Sequence, residues 1–119
     1  MTNMTRYIET VDGFGILFKA EPEEMSMRQH FIKECGWKES WYRKIKNCEW
    51  FCARVSAWKN GEELASAYLG ACCYKSVEEF YTEYHDDYFA QMMQEVVAEA
   101  KRVERAATRQ ATIVPDSSG

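Results

Sequence analysis

The chain has 119 residues, of which 46% are apolar and 14% aromatic, and this is enough for one domain with a real core. The mean hydropathy is −0.53, and no apolar run approaches the roughly 20 residues that cross a bilayer, so we expect no membrane segment. The net charge of −4 opposes broad binding of nucleic acid, which needs a basic surface for phosphate contacts.

The first residues, MTNMTRYIET, contain no apolar stretch typical of a secretion signal. The five cysteines are odd in number and lack CxxC spacing, which favours free thiols over a disulfide framework. These features predict a reduced, cytoplasmic protein.

A first β-hairpin is predicted over Tyr7–Lys19, with Asp12-Gly13 as a two-residue turn. Gly15 could instead bend the second strand. The two-residue turn groups five side chains on one face: Tyr7, Val11, Phe14, Ile16 and Phe18.

A helix is predicted to begin at Glu21-Pro22, because proline suits the first helical position and the carboxylates suit the positive end of the helix dipole. Ser26 with Gln29 offers a competing start as a capping box. Gly36 is a natural stop. The stripe with i, i+3, i+4, i+7 spacing would comprise Arg28, Phe31, Ile32 and Cys35.

The segment Trp37–Lys46 is predicted to form a second, short helix that Asn47 ends. Glu39 could pair with Arg43 across one helical turn. In the alternative interpretation, residues 41–46 form a fifth strand. The order of elements would then resemble the α-β-β-β-α layout of double-stranded-RNA-binding domains, although the charge balance opposes that function.

A second hairpin is predicted over Cys48–Tyr74, with Asn60-Gly61 at its turn because both residues tolerate positive φ. A two-residue loop would set Val55 opposite Ser66 and mix the two faces. A three-residue loop that adds Lys59 keeps the faces matched, so we expect that loop. It pairs Val55 with Ala65, Ala53 with Ala67 and Phe51 with Leu69.

A long helix is predicted from a capping box formed by Ser76 and Glu79. If it continued to residue 106 it would be about 45 Å long, whereas a domain of this size is about 35 Å across. The helix should therefore break near residues 85–87, or its end should project. Its inner stripe would comprise Val77, Phe80, Tyr81, Tyr84, Tyr88, Met92, Val96, Ala100 and Val103.

These elements give an α+β fold in the order ββ-α-α-ββ-α. Two hairpins would form an antiparallel sheet, helices would cover one face, and the last helix would be long. We expect a single domain over residues 1–107 and a disordered tail over 108–119, which has too little apolar content to fold.

An acidic surface is predicted on the last helix, since residues 76–100 contain seven acids and no lysine or arginine. The simple interpretation is a solvated outer face. The functional one is a surface that docks on a basic groove, as a nucleic-acid mimic does, because complementary fields speed and select such encounters. The expected contact residues are Glu79, Glu83, Asp86 and Asp87.

A basic aromatic segment provides a second candidate surface. Its rings can be core while its charges reach solvent, or it can be a protein-binding hot spot, where Trp, Tyr and Arg are enriched. A third possibility is single-stranded nucleic acid stacked on the rings. The candidate residues are Trp37, Trp41, Tyr42, Arg43 and Lys44.

The cysteine and histidine pattern predicts neither a metal site nor an active site. Short paired spacings of metal ligands are missing, and in our register Cys48 faces Cys72. His30 and Cys35 are five residues apart, which places them on different faces of an α-helix. We therefore expect no cofactor and no enzymatic activity.

The C-terminal helix is more apolar than one stripe on a small sheet requires. Phe89, Met93 and Val97 could contact a second copy of the chain or a partner's helix, so a homodimer through this helix is possible.

The function that these features predict is a small, non-enzymatic protein-binding module. In size, acidity and cysteine content, the chain resembles the single-domain inhibitors with which phages and plasmids block restriction enzymes and CRISPR complexes. That resemblance implies occlusion of a host nucleic-acid-handling complex by the acidic helix face. The alternative is an RNA- or DNA-binding module that uses residues 37–46.

Overall fold

The computed structural model describes residues 3–82 and 88–113. Four strands form one antiparallel sheet in the order β1-β2-β3-β4. The α+β class, the antiparallel sheet and the long last helix are thereby confirmed. The elements are β1 (Met4–Val11), β2 (Phe14–Glu21), a π-helical segment (Gln29–Glu34), α1 (Glu39–Ile45), β3 (Glu49–Lys59), β4 (Glu62–Tyr74), α2 (Glu78–Thr82) and α3 (Tyr88–Ile113).

The first hairpin turns at Asp12-Gly13 as expected, with φ of 53° and 87° at the two residues and Val11 paired with Phe14. A bulge between Tyr7 and Glu9 then shifts the register. Tyr7 is consequently paired with Leu17 and exposed to solvent, so its predicted place on the Phe14 face is wrong. The extra residue in β1 reverses the side-chain alternation beyond the bulge.

The second hairpin has a two-residue turn, with φ of 54° at Asn60 and 78° at Gly61 and Lys59 paired with Glu62. The expected three-residue loop is therefore wrong. The faces still match, because the register shifts again between Ala57 and Trp58. This shift sets Val55 opposite Ala67 rather than Ala65. The bulge in β4, rather than a three-residue loop, keeps the apolar side chains of the two strands on the same face of the sheet.

A second irregularity in β4 involves Gly70 and Ala71, where Ala71 has a φ of 56°. Glu23, from the loop after β2, reaches this point and accepts a hydrogen bond from the Ala71 backbone N–H at 2.6 Å. A side chain at Gly70 would meet the Glu23 carboxylate, with a Cβ only 3.0 Å from Oε2. The loop between β2 and the first helical segment is therefore tied to the far strand of the sheet.

The core lies between one face of the sheet and helices α2 and α3. Phe18 is at its centre and contacts the rings of Phe51, Phe80, Tyr81 and Phe89 at centroid distances of 5.0–6.5 Å. Small residues of β3 let the helices approach the sheet closely. The other buried members are Phe14, Ile16, Ala20, Ala53, Val55, Ala57, Ala65, Cys72, Val77, Met92, Val96, Val97 and Ala100.

The chain between β2 and β3 differs in part from its prediction. β2 continues to Glu21, so no helix begins there. The competing start is the observed one, because the Ser26 hydroxyl accepts the Gln29 N–H at 3.0 Å. The short helix at Glu39–Ile45 is confirmed, and residues 41–46 do not form a strand.

The last helical region comprises α2 and α3, and residues 83–87, where a break was expected, lie outside the described part. Tyr88 is 48% exposed rather than on the inner stripe, and Phe89 takes the buried position. Residues 105–109 of α3 are exposed on every side, so this end projects from the sheet. The helix continues through 108–113, which composition had assigned to a disordered tail.

Candidate functional site

Residues 28–46 form a lobe, which we call the cationic lobe, beside the start of β3. Its first segment is π-helical rather than α-helical, since the Cys35 N–H donates to the His30 carbonyl, five residues back, at 3.0 Å. Gly36 ends the segment with a φ of 72°, a value that an L side chain rarely adopts. The chain then turns into α1.

A row of aromatic rings connects the cationic lobe to the sheet. The Trp50 indole N–H donates to the Met25 carbonyl at 2.7 Å, and its ring contacts Phe31 at a centroid distance of 5.7 Å. Phe31 contacts Trp37 at 4.4 Å, and Trp37 contacts Trp41 at 6.0 Å. Trp50 and Phe51 are consecutive in β3, so Trp50 leaves the strand on the side opposite the core.

The row ends at Trp41 in solvent. All four tryptophans lie in the described part of the chain, and among them only Trp41 is exposed, at 47%. The Lys38 ammonium lies 5.5 Å from the centre of its ring. Tyr42 is half-buried beneath the Arg28 guanidinium, which is 5.6 Å from the ring centre. Only the remaining surface of Trp41, which neither Lys38 nor Trp37 covers, is open to a partner.

The charge of the lobe is opposite to that of the chain. Residues 28–46 carry six cationic and two acidic side chains, a net charge of +4 within a chain of net charge −4, so the remainder carries −8. Arg43 and Lys44 are exposed on α1. Glu39 forms a salt bridge with Arg28 and not with Arg43 as predicted, because the lobe folds the π-helical segment against α1.

Of the four predicted contact residues of the acidic surface, Glu79 lies in the described part of the chain. Its side chain is half-buried and accepts the Lys75 backbone N–H at 3.2 Å, so it caps the start of α2. This local role explains Glu79 without a partner. The other three predicted residues, Glu83, Asp86 and Asp87, lie outside the described residues.

The predicted contact residues of α3 have divided roles. Phe89 and Val97 are 3% and 7% exposed and belong to the chain's own core, so they are not available to a second copy. Met93 is half-buried and lines a groove of about 430 Å³ between α3 and the turn of the first hairpin. Lys101 and Asp12 also line that groove and form a 2.7 Å salt bridge with each other. A contact between copies through α3 stays a prediction.

All five cysteines are free, but their neighbours differ from the prediction. Cys73 is paired with Trp50 and interacts with Cys48, so Cys48 does not face Cys72. Burial raises the pKa of Cys72 to about 12 and that of Cys73 to about 11, and burial also raises the pKa of Cys52. Within the described residues, no three His, Cys, Asp or Glu side chains are arranged to hold a metal ion.

His30 and Cys35 are brought together, although an α-helix would place them on different faces. The π-helical hydrogen bond joins residues five apart, and the Cys35 Sγ lies 3.6 Å from the His30 Nε2. Nothing in the local sequence distinguishes this π-helical segment from an α-helix, so the expectation that the two residues lie on different faces is wrong.

Within the described ranges, no helix is long and apolar enough to cross a membrane. Comparison with protein-family models, with curated proteins and with solved structures gives no match in any of the three.

Proposed function

We propose that the chain is a non-enzymatic protein-binding module that docks through the cationic lobe onto an acidic surface of a partner protein. The observation that supports this best is the exposed Trp41 ring at the end of the lobe, surrounded by cations on a chain that is otherwise acidic. An exposed tryptophan contributes more binding free energy than most other side chains when a partner removes it from water.

The arrangement around Trp41 is typical of an interaction hot spot. Its inner neighbour Trp37 is packed against Phe31, so the exposed ring is presented on a supported base rather than on a free loop. Lys38, Arg43 and Lys44 supply a cationic rim, which steers an acidic partner and selects it against a basic one.

The geometry favours a protein over nucleic acid as the partner. Proteins that bind single strands stack successive bases on several exposed rings. Among the aromatic rings of the lobe, all of which are described, Trp41 alone is exposed and Trp37 and Tyr42 are half-buried, so one base at most could stack. The −8 charge of the remaining chain would also repel a phosphate backbone that extended beyond the lobe.

Occlusion is the mode of action that the charge distribution supports. The lobe would anchor the chain, and the acidic remainder would cover a neighbouring basic channel, as expected of an inhibitor of a nucleic-acid-handling complex. The five free cysteines support the reducing cytoplasm as the compartment.

The test compares Trp41→Ala with Tyr68→Ala, which removes a similarly exposed ring from the sheet, outside the lobe. Each tagged chain would capture partners from extracts of its host, and binding would then be measured with the purified partner. We expect Trp41→Ala to weaken the Kd by about 30-fold or more, the equivalent of about 2 kcal/mol at a hot spot. Tyr68→Ala should bind like the unmodified chain.

Two results would overturn the proposal. One is a partner whose affinity is the same for the unmodified chain, for Trp41→Ala and for a Lys38→Glu/Arg43→Glu/Lys44→Glu variant. The other is a mobility shift of single-stranded RNA or DNA at low salt that Trp41→Ala abolishes, which would establish nucleic acid as the ligand instead.

A further inference from the structure

We propose that Cys35 and His30 form a reactive thiol site that exchanges with small anionic disulfides, of which glutathione disulfide is the expected class. This inference is independent of the proposed partner, because it concerns the chain's own chemistry.

The first argument is the geometry of the pair. The Cys35 Sγ lies 3.6 Å from the His30 Nε2, within hydrogen-bond reach for sulfur. The π-helical hydrogen bond between the same two residues fixes their backbones in this relation. A nucleophile within reach of a base is the minimal arrangement for thiol activation.

The second argument is that the imidazole is held in place. The His30 ring contacts Phe31 edge-to-face at a centroid distance of 4.8 Å and contacts Trp50 at 5.3 Å. These two ring contacts restrict the movement of the imidazole. Cys35 itself is exposed, and the space beside the following Gly36 is open, so a small molecule can approach the sulfur.

The third argument is the charge around the sulfur. Lys33 and Lys38 flank Cys35 in the sequence, and both are exposed. Glu34 is the adjacent acidic residue, and the lobe as a whole carries +4. An anionic disulfide is therefore attracted to this thiol, and a cationic one is repelled.

The other cysteines lack these features. Cys72 is buried, and Cys48, Cys52 and Cys73 are half-buried in or beside the sheet. For Cys52, Cys72 and Cys73 burial raises the pKa, which lowers the fraction of thiolate at neutral pH. They serve as internal controls for the reactivity of Cys35.

The proposed step is a thiol–disulfide exchange. The Cys35 thiol transfers its proton to His30 Nε2, and the thiolate attacks one sulfur of the disulfide. A bond forms between Cys35 Sγ and that sulfur, while the original S–S bond breaks and its second sulfur leaves as a thiolate. That thiolate takes up a proton, from the imidazolium or from water. The number of disulfide bonds is unchanged, because the Cys35 sulfur replaces the sulfur that leaves as a thiol, so the step needs no further oxidant or reductant.

The experiment uses the full chain, reduced and then exposed at pH 7 to glutathione disulfide, with peptide mapping by mass spectrometry at each time. We expect the mixed disulfide to form first on Cys35. His30→Asn, which keeps a polar side chain but provides no base, should slow the reaction of Cys35 by about tenfold or more. The rates at Cys48, Cys52 and Cys73 should not change.

A second comparison tests the ligand class. Cystamine, a cationic disulfide, should react with Cys35 more slowly than glutathione disulfide, and the difference should shrink at 0.5 M salt. Near-ultraviolet circular dichroism verifies that His30→Asn keeps the aromatic packing of the lobe. Equal rates at all exposed or half-buried cysteines, or an unchanged Cys35 rate in a correctly folded His30→Asn, would overturn the proposal. Faster reaction with cystamine would overturn the assigned ligand class.

Discussion

The sheet with α3 and the cationic lobe use aromatic residues in opposite ways. In the sheet, rings from several elements meet around Phe18, which is fully buried and contacts four other rings. From the sheet into the lobe the rings form a row that begins at Trp50 of β3 and ends in solvent at Trp41. The first arrangement maximises burial and therefore stability, whereas the second leaves apolar surface for a partner.

The largest effect should follow from a change at the centre of the sheet core. Phe18→Ala removes a fully buried ring, and the cavity should lower the free energy of unfolding by about 3–5 kcal/mol. Urea denaturation followed by circular dichroism measures this. Tyr7→Ala, an exposed ring on the neighbouring strand, should change stability by less than about 0.5 kcal/mol. Similar losses in both variants would contradict the comparison.

A smaller effect is expected where the lobe joins the sheet. Trp50→Ala removes the indole that donates to Met25 and contacts Phe31, at a cost of about 2–3 kcal/mol. The loss should be local, so amide exchange should accelerate in residues 28–46 while the strands keep their protection.

The control for that variant is Trp58→Ala, on the same strand but remote from the lobe, where the indole donates to Ser56 Oγ at 2.9 Å. It should leave exchange in residues 28–46 unchanged. If Trp50→Ala instead accelerated exchange in the sheet and the lobe together, the two regions would be one cooperative unit and the comparison would fail.

The difference between the regions also explains what the sequence could predict. The position of each hairpin turn was predictable because Asp12-Gly13 and Asn60-Gly61 tolerate positive φ, although the second loop has two residues rather than the expected three. The α+β class follows from the same patterns. The bulges were not predictable from the alternation of side chains, because each adds one unpaired residue to a strand. Packing against strands that are distant in the sequence decides where such a residue is tolerated.

The site in the lobe was predicted by residue type but not by arrangement. Trp41 and its cationic neighbours were candidates from composition, yet their exposure depends on where Phe31 and Trp37 pack. The His30–Cys35 contact requires a π-helical turn, and tertiary packing rather than local propensity decides between that turn and an α-helical one.

The thiols of the sheet should make its stability sensitive to alkali. Burial raises the pKa of Cys72 to about 12, so the folded chain keeps this proton when the unfolded chain has lost it. The contribution of this thiol to the free energy of unfolding is therefore complete below about pH 9, the ordinary pKa of a thiol. It is lost as the pH rises toward 12. This one thiol can lower the free energy of unfolding by at most about 1.4 kcal/mol for each pH unit.

Urea denaturation between pH 9 and pH 10.5 measures that slope. Cys72→Ala should reduce it, whereas Val55→Ala, which removes a buried side chain of the same core that does not titrate, should leave it as in the unmodified chain. The slopes are compared rather than the absolute stabilities, because Cys72→Ala also leaves a small cavity. Equal slopes in all three chains would show that Cys72 does not govern the alkaline transition.

The smallest effect is expected at Ala71, where the loop that leads to the lobe is tied to the sheet. A φ of 56° is unfavourable for an L side chain by about 1–2 kcal/mol, and glycine removes that cost. Glycine also adds about 0.4–1 kcal/mol of backbone entropy to the unfolded chain. The two terms nearly cancel, so Ala71→Gly should raise stability by about 0.5 kcal/mol. Ala67→Gly, in the regular part of β4 opposite Val55, should lower it by about 1 kcal/mol. A loss of about 1 kcal/mol in Ala71→Gly as well would contradict this prediction. It would mean that the more restricted backbone of alanine is needed to hold the Ala71 N–H in its hydrogen bond to Glu23. The left-handed conformation of Ala71 would then help to attach the loop that leads to the lobe.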